Sequence, residues 1–152
     1  MAFSLLLSAA ILIIACSAST PASNSSDPGS INSAHVLRVV DGDTLDVLIA
    51  GNNHRIRLFG VDTPERGERC YQEAMDRTQE LSGDSVLLEA GPRKEDKYGR
   101  LLFYLYTQSG ESIDTKLIQE GLATAWTRDG QYRDKLVREE NQARANGKGC
   151  LW

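Results

Sequence analysis

Arg57-Leu58-Phe59-Gly60-Val61-Asp62-Thr63-Pro64-Glu65 is the stretch whose reading decides the fold. Alternation of polar and apolar residues from His54 to Phe59 predicts a half-buried strand. Pro64 ends it, because proline disfavours helix at Thr63 and has no N–H for a ladder. Asp62 and Glu65 are thereby presented at a strand end, with Arg57 on the strand itself. Upstream, Asp41-Gly42-Asp43-Thr44 reads as a tight turn between two β-rich runs, 36–40 and 44–50. Gly51-Asn52-Asn53 makes the next turn, so the three runs form an antiparallel meander with acids at its turns.

Further along, 70–81 has helical spacing, with Tyr71, Ala74, Met75, Thr78 and Leu81 on one face, closed by Ser82-Gly83. Residues 85–90 and 101–107 predict two more strands, separated by the charged loop Arg93-Lys94-Glu95-Asp96-Lys97-Tyr98-Gly99-Arg100. A second helix carries Ile113, Leu117 and Ile118 and stops at Gly121. A third covers 133–146, with i,i+4 pairs Asp134/Arg138, Lys135/Glu139 and Glu140/Arg144 on a solvated face. Five strands with three helices among them predict an α+β fold, a small five-stranded barrel with three α-helices.

The chain has 152 residues, room for one domain with a real core. Its net charge of −4 gives no long-range attraction for nucleic acid, so phosphate binding has to come from a local group of Arg and Lys. Only two histidines, His35 and His54, argue against a multi-histidine zinc site. Residues 5–14 are apolar, too short to span a bilayer but suited to a signal-peptide core, although no Lys or Arg precedes them. Ile13-Ile14-Ala15-Cys16 resembles a bacterial lipobox ending at Cys16, the residue that would be lipidated. Ordinary cleavage around Ala18 is also allowed. Residues 17–33 read as a disordered Ser/Asn-rich tether, and the folded domain is expected over 34–152. With Cys16 lipidated or removed, Cys70 and Cys150 remain, and an oxidising compartment favours a disulfide between them over two free thiols.

Asp43 and Asp62, with turn backbone, are suited to a hard divalent cation, and calcium takes such irregular oxygen sets. Glu65 is placed to take or orient the proton of an attacking water. Arg57 and Arg100 each offer a planar fork of donors to a phosphate. Each feature has a plainer reading: turn chemistry for the acids, a surface carboxylate for Glu65, structural salt bridges for the arginines.

Taken in order, Asp41-Gly42-Asp43-Thr44, Arg57 to Glu65, Asp96-Lys97-Tyr98-Gly99-Arg100 and Gly121-Leu122-Ala123 resemble the staphylococcal (thermonuclease) nuclease family. The resemblance runs from about Val36 to Trp152. It implies an OB-fold barrel and calcium-dependent hydrolysis of DNA and RNA to products with 3′-phosphate ends. It also implies Ca2+ on the side chains of Asp43 and Asp62 and the backbone carbonyl of Thr63, Glu65 as general base, and Arg57 and Arg100 on the scissile phosphate. Lys97, Tyr98 and Trp126 are the residues expected to bind substrate. The chain departs from the pattern in its acidic charge and in Thr127, which stands where an aromatic is expected; Trp126 and Tyr132 are the substitutes at hand. The overall expectation is an exported, monomeric nuclease, either an envelope lipoprotein or a periplasmic or secreted protein, touching a membrane only through its N-terminal lipid. The alternatives are a catalytically silent OB-fold module for single-stranded nucleic acid and an envelope protein-interaction domain.

Overall fold

The computed structural model describes residues 32–152. The expected signal peptide, the lipidation at Cys16 and the tether up to residue 31 lie outside the described residues. Strand β1 (Asn32–Asp41) starts two residues ahead of the boundary expected at Ala34, because Asn32 and Ser33 pair with Leu88 and Leu87.

Strands β2 (Thr44–Ile49) and β3 (Asn52–Leu58) complete the meander. With β5 (Ser85–Glu95) and β6 (Leu101–Tyr106) they close a barrel of order β1-β2-β3-β6-β5. Closure needs β3 and β6 to run parallel, in the register Arg57↔Leu102. The barrel interior is filled by alternate strand residues, including Leu45, Val47, Ile56, Leu58, Val86 and Leu88, all essentially without solvent contact. Each such side chain contributes about 1.5–3 kcal/mol by leaving water. Among the described residues no helix is long and apolar enough to cross a membrane.

A separate two-stranded ribbon carries the acidic loop: β4 (Val61–Asp62) pairs with β7 (Thr124–Ala125). It rests on helices α2 (Ile113–Gln119) and α3 (Arg133–Ala145). Asp114, wholly buried in the first turn of α2, accepts from the backbone N–H of Gly60 (2.9 Å) and of Leu105 (3.1 Å). A Cβ on Gly60 would lie 2.5 Å from Leu136 Cδ1 and 2.8 Å from Asp114 Oδ1, so only glycine lets the ribbon approach that closely. Helix α1 (Tyr71–Ser82) supports the other acidic turn: buried Thr78 donates to the carbonyl of Gly42 at 2.7 Å.

Several expectations shift. Helix α1 begins after Cys70, which takes the left-handed conformation (φ 72°), and buries Ala74, Thr78 and Ser82, with Met75 and Leu81 only partly covered. Strand β5 runs on to Glu95, so Arg93, Lys94 and Glu95 of the expected charged loop are strand, and the turn lies between Asp96 and Gly99. On α3, Glu140–Arg144 forms (3.0 Å), while Glu139 accepts from Gln119 and Asp134 pairs with Arg133. Nearby helices and the helix's own first turn offered these groups closer partners.

Cys70 and Cys150 are joined as a disulfide, with Cα atoms 5.7 Å apart, across a sequence separation of 80 residues. It ties the C-terminal segment to the start of α1. Removing so long a closure from the unfolded chain is worth about 2–5 kcal/mol. Urea denaturation of the Cys70→Ser/Cys150→Ser double variant should show a stability loss of that size, with reductant producing the same loss in the unmodified chain and none in the variant.

Candidate active site

Both acidic turns and both arginines open onto one cavity of about 660 Å³. Its floor is Arg57, only 10% of whose side chain is exposed. Nη1 of this guanidinium donates to the carbonyls of Leu58 (2.7 Å) and Val61 (2.9 Å), which fixes its plane. Nη2 meets Asp62 Oδ1 at 2.6 Å and Asp43 Oδ2 at 3.2 Å. Two carboxylates from separate turns therefore converge on a single nitrogen. Nε has no partner among the described residues.

Asp43 is held from three sides. Its Oδ1 accepts from Thr44 Oγ1 (2.9 Å), its Oδ2 from the N–H of Thr63 (3.3 Å), and its own carbonyl accepts from Leu58 N–H (2.8 Å). Gly42 makes the fit possible: a Cβ there would stand 2.7 Å from Thr63 Oγ1. Asp41 also lines the cavity. Burial and the neighbouring Asp43 charge push its carboxyl above the usual carboxylate range. Asp62 is the open member, with 58% of its side chain exposed.

Arg100 comes from the turn before β6 and reaches the same mouth. Its Nε donates to Asp96 Oδ2 (2.7 Å) and its Nη1 to Thr44 Oγ1 (3.3 Å). Thr44 thus passes a contact from Arg100 to Asp43. Asp96 also accepts from the backbone N–H of Tyr98 (2.8 Å) and Arg100 (3.0 Å), so one carboxylate sets the whole turn. Burial raises the Asp96 carboxyl, but the N–H donors and the guanidinium outweigh it and hold it below the usual value.

Glu65 lines the cavity from its rim and is exposed. Its backbone N–H donates to the Glu68 carboxylate (2.8 Å), which steadies the loop. Lys97 and Tyr98 stand on the outer wall; Tyr98 is 72% exposed, with the Arg100 guanidinium 5.6 Å from its ring centre. Trp126 also lines the cavity, its ring centre 5.5 Å from the Arg57 guanidinium. Thr63 is buried behind the wall rather than lining it. Tyr132 does not substitute for the missing aromatic: its ring packs edge-on against Tyr104 (4.8 Å between centres) and its hydroxyl donates to Glu89 (2.7 Å).

The plainer reading of Arg57 as a salt-bridge partner and its reading as a site residue prove compatible, since the acids it pairs with are those of the cavity. Sequence reading gave no role to Thr44, Asp96 or Asp114. Asp96 had a usable signal, an Asp three residues before Gly99 at a turn; Asp114 had none beyond being an acid in a helix's first turn.

The donor chemistry fits a hard cation. The cavity offers carboxylate oxygens from Asp41, Asp43 and Asp62, and no His or Cys lines it. Among the described residues no three His, Cys, Asp or Glu side chains are gathered closely enough to cage a metal alone. An ion there relies on backbone carbonyl and water for its remaining ligands, as calcium tolerates and zinc sites rarely do.

An OB-type barrel with oxygen ligands and guanidiniums in one mouth defines a class: scaffolds for recognising and working on anionic phosphate esters. The family described as staphylococcal nuclease homologue matches residues 55–152, and this chain belongs to it. It is 36% identical over 117 residues to the thermonuclease of Staphylococcus hyicus, covering 71% of this chain and 69% of that protein. To endonuclease YncB of Bacillus subtilis it is 35% identical over 127 residues, 76% of this chain and 59% of the relative. The SPbeta prophage-derived endonuclease YokF of the same organism is also 35% identical over 127 residues, but the match covers only 42% of its length.

Because Asp96 is ionised well into acid when folded, its contribution to stability is present at neutral pH and is lost as pH falls through its lowered folded value. Asp96→Asn should therefore be less stable than the unmodified chain at pH 7, with the difference narrowing below about pH 4. Thermal unfolding followed by circular dichroism across that range measures it.

Proposed function

We propose that this protein is a calcium-dependent endonuclease that hydrolyses DNA and RNA phosphodiesters and leaves 3′-phosphate ends. The observation that carries the reading is the meeting of Asp43 and Asp62 on Arg57, with Arg100 and Glu65 on the same cavity. The names of the relatives, thermonuclease and endonuclease, support the same activity.

A phosphodiester is an anion that repels a nucleophile, and charge builds on its non-bridging oxygens as attack proceeds. Arg57 Nε and the unengaged side of Arg100 donate to those oxygens, more strongly in the transition state than in the ground state. Their orientation is set beforehand by Leu58, Val61, Asp96 and Thr44, so little reorganisation is needed at the moment of reaction. Glu65, exposed and free to meet solvent, takes a proton from the attacking water. The new P–O bond forms as the bond to the 5′-oxygen breaks; that oxygen leaves with a proton from solvent and the phosphate stays on the 3′ side. Asp43 and Asp62, with the carbonyl of Thr63, would hold Ca2+, which when bound supplies Lewis-acid neutralisation of the phosphate.

We also read the protein as exported. The apolar run over 5–14 and the lipobox-like sequence at Cys16 support this, as does a disulfide suited to an oxidising compartment. Metabolic labelling with a fatty acid, in the unmodified chain and in Cys16→Ser, separates a lipid anchor from free secretion.

Digestion of single-stranded DNA and of RNA should require calcium and stop with excess chelator. Glu65→Gln is expected to lower kcat about 10²–10⁴-fold, and Arg100→Ala about 10²–10³-fold, with calcium binding by calorimetry retained in both. Full activity in chelator, or an unchanged kcat in Glu65→Gln, contradicts the mechanism.

A further inference from the structure

Thr44 is a neutral residue set among the charges of the cavity. It opens β2, is 2% exposed, and stands directly opposite Arg57 in the β2–β3 register. Its Oγ1 is hydrogen-bonded to Asp43 Oδ1 at 2.9 Å and to Arg100 Nη1 at 3.3 Å. A guanidinium only donates, so the oxygen accepts from Arg100 and its one hydrogen is left for an acid. Asp41 draws on the same hydroxyl, so that hydrogen faces the acidic turn in either case. The contact therefore has a single direction, from Arg100 through the hydroxyl to the acids.

Followed both ways, the contact joins the whole site. Arg100 places Nε on Asp96 and Nη1 on Thr44; Asp43 takes the Thr44 hydroxyl on Oδ1 and Arg57 on Oδ2; Arg57 reaches on to Asp62. Both guanidiniums and both carboxylates of the proposed seats stand on this one line. A carboxylate in place of the hydroxyl would hold Arg100 about twice as strongly. It would also saturate a guanidinium that already has Asp96, leaving less charge for an incoming phosphate. A direct Arg100–Asp43 pair would in addition occupy an oxygen that a cation needs. The hydroxyl passes on orientation without cancelling charge.

We infer that Thr44 is a positioning residue for phosphodiester cleavage, its hydroxyl holding the Arg100 guanidinium in one orientation relative to Asp43. This rests on the nuclease reading and deepens it. Held by Asp96 alone, the guanidinium can turn about one carboxylate; held at Nη1 as well, its plane is set by two points. The remaining donors are then aligned before a phosphate arrives, which is where preorganised donors act most strongly. Without the hydroxyl, Nη1 is released to solvent or to Asp41, which lines the same cavity.

The test is a double-mutant cycle between Thr44 and Arg100, read in two ways on the full chain. The first is calorimetric binding of thymidine 3′,5′-bisphosphate in chelator, which involves no metal. Thr44→Val, close in shape but without the hydroxyl, should weaken binding about 3–10-fold. Thr44→Ser, which keeps the hydroxyl, should restore affinity to within about twofold, and Thr44→Val in an Arg100→Ala background should add less than about twofold. The second readout is cleavage with calcium. Thr44→Val should lower kcat about 10-fold with KM changed less than about threefold, and the double variant should fall no further than Arg100→Ala. A residue that merely supports the fold would multiply the two losses instead. Urea unfolding checks that each variant is folded at the assay temperature; if Thr44→Val is not, Thr44→Ala carries the same cycle. Multiplied losses, a Thr44→Ser as impaired as Thr44→Val, full affinity in Thr44→Val, or no binding by the unmodified chain would overturn the relay. The expected binding cycle without any hydrolysis leaves the relay standing and removes the nuclease reading, whereas hydrolysis with multiplied losses removes only the relay.

Discussion

The buried guanidinium of Arg57 is the constraint on which the rest of the site depends. A nearly covered cation is costly unless its charge and its donors are met, and here two carbonyls and two carboxylates meet them. The same contacts fix the positions of Asp43, on a barrel turn, and Asp62, on the separate ribbon, which would otherwise repel each other. Strand β3 carries Arg57 toward the barrel mouth, the β1–β2 turn brings Asp43, and the short β4–β7 ribbon brings Asp62. Barrel, turn and ribbon each contribute one member of a single electrostatic unit.

Around that unit the protein spends its less conspicuous polar groups on the backbone. Thr78 holds the Gly42 carbonyl, Asp114 holds the Gly60 and Leu105 N–H groups, and Asp96 holds its own turn. Burial pushes the Asp114 carboxyl up to about 6 even though those two N–H donors pull the other way. Thr78 and Asp114 lie outside the cavity, whereas Asp96 lines it and pairs with Arg100 there. Buried polar residues of this kind stabilise the loops at some cost in desolvation, and the two N–H donors left behind by losing Asp114 would be expensive.

Much of this was legible in the amino-acid order. The alternation around Arg57, the stop at Pro64 and the turn at Gly42 located three strands and both acids, because those signals are local. The same local reasoning placed Arg100 at the head of a strand. What escaped it was decided over long range. The extension of β1 to Asn32 depends on β5 being there to pair with it, and the roles of Thr44 and Asp114 depend on partners 56 and 54 residues away. Trp126 and Tyr132 were interchangeable on paper; only packing against Tyr104 and Glu89 assigns one to the core and leaves the other facing the cavity.

The order in which the pieces occur along the polypeptide has a bearing on when the protein can act. The barrel closes only when β5 reaches β1, Asp62 is secured only when β7 has arrived, and the loop bearing Glu65 is anchored through Cys150, two residues before Trp152. A nascent chain leaving the ribosome amino end first carries Asp43, Asp62 and Glu65 long before it carries β7 and Cys150. The cavity is therefore fully braced only once the segment bearing Cys150 has docked on the start of α1, rather than turn by turn along the growing chain.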